Sequence, residues 1–201
     1  MNCLSSVSGG AVSYLRNLSS LLLARFEASQ GEHKLIFLAH ESQRELLGSV
    51  PDEHCHWVRG TRPTGWRRVM WERRNLARIV RDLKVEILFT PYQIAIAVSD
   101  VKQVLMLRNM EPFLFDRYRY SCTTALRNRL LAMSSRRALR RADRIIAVSD
   151  FARDYLVEGL SANADQMRTV YHGRTESLSS HGDTLLRRSL LTELGVDGRF
   201  I

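Results

Sequence analysis

Cysteine is scarce in this chain, and its pattern excludes two common kinds of stabilising site. The 201 residues contain only Cys3, Cys55 and Cys122, which lie far apart in the sequence. An odd number of distant cysteines does not fit a disulfide framework, and their spacing does not fit a zinc site. We therefore expect a reducing compartment and no structural zinc. We also expect no bound cofactor.

Long apolar runs are also missing. No stretch approaches the roughly 20 residues that a membrane-spanning helix needs. The best apolar run near the N-terminus, residues 21–24, lies between Arg16 and Arg25, so no signal peptide is predicted. We expect a cytoplasmic protein whose contact with a membrane, if any, is peripheral to the inner face of the plasma membrane.

Positive charge is abundant and unevenly distributed. The net charge is +9, and residues 117–141 hold eight arginines and no acid. A second basic segment, residues 67–81, contains one acid, Glu72. Such patches fit a lipid surface, a diphosphate-bearing substrate or a nucleic acid, and equally a solvated helix face. The candidate membrane or phosphate patch comprises Arg127, Arg129, Arg136, Arg137, Arg140 and Arg141.

Strand-like and helix-like segments alternate along the chain, which predicts an α/β fold with a doubly wound, mostly parallel, Rossmann-like sheet. Its 45% apolar and 25% charged residues are typical of a globular domain. The predicted strands are residues 35–39, 55–58, 85–89, 103–107, 144–148 and 168–171. The predicted helices are residues 11–26, 67–83, 121–141, 150–160 and 185–194.

Two of these helices carry specific expectations. In residues 121–141, Leu126, Leu130 and Met133 share one stripe, which predicts their burial in the core. Residues 150–160 begin behind Ser149, whose hydroxyl is a good N-cap.

The two ends of the chain also carry expectations. A doubly wound domain usually opens with a full strand before its glycine turn. Only residues 1–4 are available for that strand here, so the first strand is expected to be truncated. We expect residues 1–175 to form one domain. Residues 176–201 are expected to form a linker and the start of a missing C-terminal domain.

Polar residues and glycines follow several predicted strands. Gly9 and Gly10 precede the first helix, where backbone amides can approach an anion. Arg108, Asn109 and Glu111 follow strand 103–107, at the sheet edge where open α/β folds bind ligands. Residues 172–173, His-Gly, follow the last strand. Each feature also fits a simple turn or loop cap, and the histidines show no metal-ligand spacing.

Three stretches together resemble the N-terminal domain of glycosyltransferase family 4, a family of retaining enzymes with the GT-B fold. Residues 8–18 (SGGAVSYLRNL) are similar to its glycine loop and first helix. Residues 141–152 (RADRIIAVSDFA), closed by residues 170–173 (VYHG), are similar to its most recognisable N-domain signature. Residues 107–113 (LRNMEPF) match its acceptor-side loop in position, though less closely in residue types.

The resemblance implies two Rossmann-like domains facing a cleft, with a nucleotide-diphospho-sugar as co-substrate and no metal. The C-terminal domain of such enzymes holds the donor, and the N-terminal domain holds a saccharide or lipid-linked acceptor. By position, Gly9 and Gly10 would line the donor diphosphate. Arg108, Asn109 and Glu111 would be catalytic residues that face the reacting sugar and the acceptor hydroxyl. Ser149, His172 and Gly173 would border the cleft and contribute to donor or acceptor binding.

This sequence departs from the family pattern in two places. Many members have a histidine at the position of Arg108, and a guanidinium, which stays charged, cannot exchange protons as an imidazole does. His172 replaces the usual asparagine. The family's paired glutamates belong to the C-terminal domain, so these 201 residues alone are expected to be inactive.

Two other functions fit parts of the sequence. A nucleic-acid-binding module could use the same arginines, but Tyr118 and Tyr120 are not interleaved along the basic helix as stacking platforms would be, so we expect no nucleic acid partner. A non-catalytic remnant or scaffold domain is the main alternative. We expect the chain to be part of a hexosyltransferase or similar enzyme of cell-surface polysaccharide or glycolipid synthesis.

Overall fold

Strands and helices alternate through the residues that the computed structural model describes: 1–6, 8–29, 33–62, 64–114, 120–160 and 162–173. The strands there are β1 (Phe37–His40), β2 (Cys55–Val58), β3 (Ile87–Thr90), β4 (Lys102–Leu107), β5 (Arg144–Ala147) and β6 (Met167–Thr169). The helices are α1 (Gly10–Glu27), α2 (Gly65–Asp82), α3 (Cys122–Leu139) and α4 (Asp150–Leu160). The chain divides into two compact units, Met1–Tyr171 and His172–Ile201, and all ten elements lie in the first.

The N-terminal residues 1–3 join two groups of strands. Strands β1 and β2 pair in parallel, and β3, β4, β5 and β6 pair in parallel in that order. Between them, the Cys3 amide donates to Leu38 O at 2.8 Å, and the Asn2 amide donates to Phe89 O at 2.8 Å. The segment expected to be a truncated strand therefore lies in the middle of the sheet, between β1 and β3.

The resulting order, β2, β1, residues 1–3, β3, β4, β5 and β6, is that of a doubly wound sheet. From residues 1–3 the chain moves outward to β1 and β2, and it then returns to the other side to form β3. The strand order reverses between residues 1–3 and β3. In open α/β sheets, ligands bind at the carboxyl ends of the strands at such a point.

Helices cover both faces of the sheet, as parallel strands require. Phe37 and Ala39 of β1 are buried with Leu15 and Leu23 of α1. Leu38, which points to the opposite face, is buried in a cluster with Leu76, Ile79 and Val80 of α2. A third cluster joins β4, β5 and β6 to α3 and α4. The α/β fold class predicted from the alternating pattern is thus confirmed.

The apolar stripe of α3 does not face the core, so that prediction is wrong. Leu126, Leu130 and Met133 are 60%, 55% and 58% exposed. The buried side of this helix is formed by Asn128, Ala132, Ser135, Ala138 and Leu139. These mostly small side chains let the helix pack closely on the sheet, and Leu126, Leu130 and Met133 are left on the outer surface.

Helix α2 hides the one acid of its basic segment. Glu72 is 1% exposed and accepts hydrogen bonds from Arg68 Nη1 and Asn2 Nδ2, both at 3.2 Å. Arg68 is also buried, with its guanidinium 5.7 Å from the centre of the Tyr92 ring. Since Arg68 and Glu72 are buried together, the exposed surface of residues 67–81 carries five arginines and no acid, the same net charge as the whole segment.

Element boundaries agree closely with those expected, and β2 and α4 have the predicted bounds. The predicted helix 185–194 and the expected linker lie outside the described residues. Among the described helices, none is long and apolar enough to cross a membrane.

Candidate functional site

The strands of the first unit end at one common edge, here called the carboxyl edge, because their pairings are parallel. The loops after residues 1–3, β3 and β4 meet there. Gln93, which follows β3, is 1% exposed and bonds to both backbone polar groups of Asn109, which follows β4. The loops of the first unit that sequence reasoning singled out are therefore gathered along one edge of the sheet.

Gly9 and Gly10 lie at the N-terminus of α1 on this edge. Gly9 is the residue before the helix and has φ 57° and ψ −142°, a conformation that side chains with a Cβ atom strongly disfavour. The first amides of a helix have no acceptor within the helix, and the helix dipole adds positive potential there. The first turn of α1 contains no acid, so the N-terminus is suited to an anion.

The two glycines are expected to respond differently to alanine. Gly9→Ala should lower the free energy of unfolding by about 1–3 kcal/mol, because the backbone there is in a glycine-only region. Gly10→Ala should be tolerated, because a Cβ atom at Gly10 would lie 3.6 Å from Arg108 Nη2, an ordinary contact. Urea unfolding of both variants provides the test, and equal losses would contradict this conformational role of Gly9.

Arg108 brings a cation to the same place. Its guanidinium carbon lies 4.9 Å from the centre of the Tyr14 ring, which is one helical turn after Gly10. Burial raises the pKa of Tyr14 to about 12, so the ring stays neutral and offers an electron-rich face to the cation. Partial burial lowers the pKa of Arg108, and no described carboxylate forms an ion pair with it. The guanidinium is thus held in position without a neutralising acid.

Asn109 and Glu111 shape the loop that follows Arg108. Asn109 Oδ1 accepts a hydrogen bond from the Glu111 amide at 2.9 Å. Glu111 Oε1 in turn accepts one from Nδ2 of the fully buried Asn128 at 3.1 Å, and Arg127 Nη2 lies 3.9 Å from the same oxygen. Asn109 thus fixes the loop internally, Glu111 holds it against α3, and this loop carries Arg108.

Ser149 and its neighbours occupy the part of the carboxyl edge formed by β5 and β6. Ser149 Oγ accepts a hydrogen bond from the Ala152 amide at 3.2 Å, which confirms the predicted N-cap of α4. The adjacent Asp150 accepts hydrogen bonds from Thr169 Oγ1, at 2.7 Å, and from the Tyr171 hydroxyl. The bond from Tyr171 is the main cause that lowers the pKa of Asp150. These bonds link α4 to the last residue of β6 and to Tyr171, which follows it.

His172 and Gly173 belong to the second compact unit, and both are exposed. Within the described residues, no three His, Cys, Asp or Glu side chains form a group that could hold a metal ion.

The arginines of the basic patch are spread along the length of α3. Arg127 lies near the carboxyl edge, beside Glu111. The other end of the helix leads to Asp143, whose amide donates to Gln103 O at the beginning of β4. Arg136, Arg137, Arg140 and Arg141 therefore lie toward the opposite, amino edge of the sheet, away from the glycine turn. Arg129 is exposed and lies between Arg127 and these four arginines along the chain.

Sequence reasoning missed three residues that build the site. Gln93 and Asn128 are buried polar side chains that fix the loop after β4, and Tyr14 supports the guanidinium of Arg108. The spacing of Gly10 and Tyr14, one helical turn apart, was a usable signal for Tyr14. Nothing local marked Asn128, which lies 17 residues from its partner Glu111.

Comparisons with known proteins agree with this geometry. The family model described as Glycosyltransferase Family 4 matches residues 8–176. A search of curated proteins gives no significant match.

Two solved structures are similar in fold. A glycosyltransferase from Rickettsia africae ESF-5 has a TM-score of 0.50 and 13% sequence identity, over 99% of this chain and 49% of that one. Anabaena Alr3699/HepE, solved in complex with UDP-glucose, has a TM-score of 0.55 and 17% identity, over 98% of this chain and 49% of that one. This chain therefore spans about half the length of each.

The match to the family model covers most of the sequence, and the sheet order, the glycine turn and the fold likenesses agree with it. The chain belongs to Glycosyltransferase Family 4 and has the Rossmann-like fold of the N-terminal half of a GT-B glycosyltransferase.

Proposed function

We propose that this chain is the acceptor-side half of a hexosyltransferase. The enzyme would move a sugar from a nucleotide-sugar donor to a saccharide or lipid-linked acceptor, in the synthesis of a cell-surface polysaccharide or glycolipid. The observation that carries this proposal is the position of Arg108. Its guanidinium lies beside Gly10 at the N-terminus of α1, where the strand order of the sheet reverses.

This arrangement suits the charge that develops during sugar transfer. As the glycosidic bond to the donor breaks, negative charge grows on the departing nucleotide diphosphate. Preorganised amides and cations that point at such charge lower the barrier, because they need little rearrangement during the reaction. The amides at the start of α1 and the guanidinium of Arg108 provide both kinds of group.

The neighbouring residues have supporting roles in this proposal. Asn109 and Glu111 act as positioning residues, because their side chains hold the loop that carries Arg108. Ser149, His172 and Gly173 border the cleft. Arg108 acts by electrostatic attraction, because a guanidinium stays protonated and cannot serve as a general base.

The donor and the second wall of the cleft are also proposals. Anabaena Alr3699/HepE was solved with UDP-glucose, which supports a nucleotide-sugar as the donor here. We propose that a further domain holds the nucleotide, that these 201 residues do not transfer sugar by themselves, and that no metal takes part. We also propose that the enzyme works in the cytoplasm, peripherally at the inner face of the plasma membrane.

A transfer assay with the complete gene product tests this function. Radiolabelled UDP-glucose and other nucleotide-sugars would be incubated with oligosaccharide and lipid-linked acceptors, with the 201-residue chain assayed in parallel. We expect label in an acceptor with the complete product and none with the 201-residue chain. A folded complete product that neither binds nor transfers any donor would contradict the proposal and favour the non-catalytic scaffold domain.

A further inference from the structure

A groove between α2 and α3 lies outside the candidate site. It has a volume of about 620 Å³, within the range of roughly 300–1,000 Å³ that is usual for small-molecule sites. It exists because residues 91–101, which connect β3 to β4, form no helix. Such a connection between parallel strands usually contains a helix, which here would lie between α2 and α3.

The groove is both apolar and basic. Its floor is the extended segment 94–97, and its walls carry three exposed arginines, Arg73 of α2 and Arg137 and Arg141 at the end of α3. Among the residues that the structure describes, no acidic side chain lines it. Glu72, which precedes Arg73, is buried and bonded to Arg68, so it does not offset the charge in the groove.

Exposed apolar side chains surround the same groove. Leu130 and Met133 line it, and Leu126 lies one turn before Leu130 on α3. Trp66 is 71% exposed and precedes Val69, which lines the α2 wall, by three residues on the same face of that helix. Large apolar side chains beside a cluster of arginines are typical of a surface that lies in the headgroup region of a bilayer.

We propose that this groove is a binding site for an anionic phospholipid at a membrane surface. The phosphate is held by Arg73, Arg137 and Arg141, and the first methylenes of the acyl chains contact Leu130 and Met133. The proposal rests on the proposed function only for the peripheral location, and it adds the site and the class of lipid.

The position of the groove suits a protein that acts on substrates while attached to a membrane. Arg137 and Arg141 lie toward the amino edge of the sheet, whereas Gly9, Gly10 and Arg108 lie at the carboxyl edge. A lipid in the groove therefore leaves the candidate site uncovered. Charge selects the anionic headgroup, because juxtaposed arginines attract an anionic surface and the described side chains that line the groove include no acid.

Vesicle co-sedimentation tests the site directly. The complete gene product would be mixed with phosphatidylcholine vesicles that contain 0% or about 30% phosphatidylglycerol, at two salt concentrations. We expect binding to the anionic vesicles that weakens at high salt. The triple variant R73Q/R137Q/R141Q should lose about 100-fold in partition coefficient, because each arginine near an anionic surface contributes roughly a factor of five.

Two further variants distinguish binding in this groove from a general effect of positive charge on the protein. The control R16Q/R25Q/R59Q removes the same charge from exposed positions outside the groove. Its partition coefficient should stay within about threefold of the wild-type value, because salt screens charges that are distant from the membrane surface. The variant L126S/L130S/M133S should have a partition coefficient lower by about tenfold or more, because it no longer transfers three large apolar side chains from water into the bilayer. All three variants change exposed residues, so their thermal unfolding should match that of the wild type.

Several outcomes would overturn the proposal. These are equal loss of binding in the groove and control variants, equal binding to neutral and anionic vesicles, tighter binding to a DNA duplex than to vesicles, or a change of oligomeric state caused by the groove variants. The readout is independent of sugar transfer with a water-soluble acceptor. A transferase that does not bind vesicles would therefore contradict this inference and the peripheral location but not sugar transfer. An inactive protein that binds vesicles would contradict sugar transfer but not this inference.

Discussion

Replacing Arg108 by methionine in the complete gene product should lower kcat/KM for the nucleotide-sugar about 100-fold, the usual effect of removing one preorganised donor from a developing anion. Methionine retains the apolar contact with Tyr14 but removes the charge and the hydrogen-bond donors. The kcat/KM of Arg108→Lys should lie between those of Arg108→Met and the wild type, because an ammonium keeps the charge but lacks the planar fork of hydrogen-bond donors of a guanidinium.

The matched control is Arg16→Met, which removes an exposed arginine of the same domain and should leave kcat/KM within about twofold if only local charge matters. Initial rates at several donor concentrations give kcat/KM, and thermal unfolding checks that each variant is folded. If Arg108→Met and Arg16→Met have the same small effect, Arg108 does not act on the donor, and the anion site at α1 loses its main support.

Replacing Glu72 by alanine should lower the free energy of unfolding by about 3–5 kcal/mol. The change leaves Arg68 buried without its acid, and it removes the acceptor of the hydrogen bond from Asn2, which lies in the middle of the sheet. The stability of a small domain is about 5–15 kcal/mol, so this single substitution should remove a large fraction of it.

The double variant Arg68→Met/Glu72→Leu should recover most of this loss, because an apolar pair of similar volume often replaces a buried ion pair without cost. Glu158→Ala, at an exposed acid of α4, should stay within about 0.5 kcal/mol of the wild type. Urea unfolding followed by circular dichroism measures all three. A loss below 1 kcal/mol for Glu72→Ala would show that the pair is not sealed from water.

The Glu72 carboxyl group also has a definite dependence on pH. Burial raises the pKa of Glu72, and Arg68 and Asn2 oppose this only in part. An acid whose pKa is higher in the folded state binds its proton more tightly there. The contribution of Glu72 to stability therefore decreases as the pH rises from the usual carboxyl pKa of 4.5 through the raised value.

Most of the sheet and the position of the candidate site could be predicted from local patterns. Short apolar segments bounded by polar residues marked the strands, and Ser149 marked the start of α4 by a hydrogen bond within one turn. Parallel strands have their carboxyl ends at one edge, so the alternation of elements alone predicted that the loops with Gly9, Gly10 and Arg108 would meet.

The face of α3 could not be predicted in the same way. Its large apolar residues, Leu126, Leu130 and Met133, formed the stronger periodic stripe, yet the helix buries Asn128, Ala132 and Ser135. Which face of α3 is buried depends on how close the helix axis comes to the sheet and on whether Asn128 can form its hydrogen bond with Glu111. Both are properties of the assembled domain. The groove next to α3 likewise exists because residues 91–101 cross the sheet without a helix.

The sequence by itself determined the class of fold, the strands and helices and the loops at the carboxyl edge, because these follow from short-range periodicity, capping and turn chemistry. It also indicated the family, through the resemblance of a few motifs. Only the tertiary structure decided which charges are buried and which apolar side chains are left outside. Arg68 and Glu72 are buried, because Asn2, which is distant in sequence, supplies Glu72 with a further hydrogen-bond partner. Leu130 and Met133 are exposed, because α3 instead buries Asn128, whose partner is the distant Glu111.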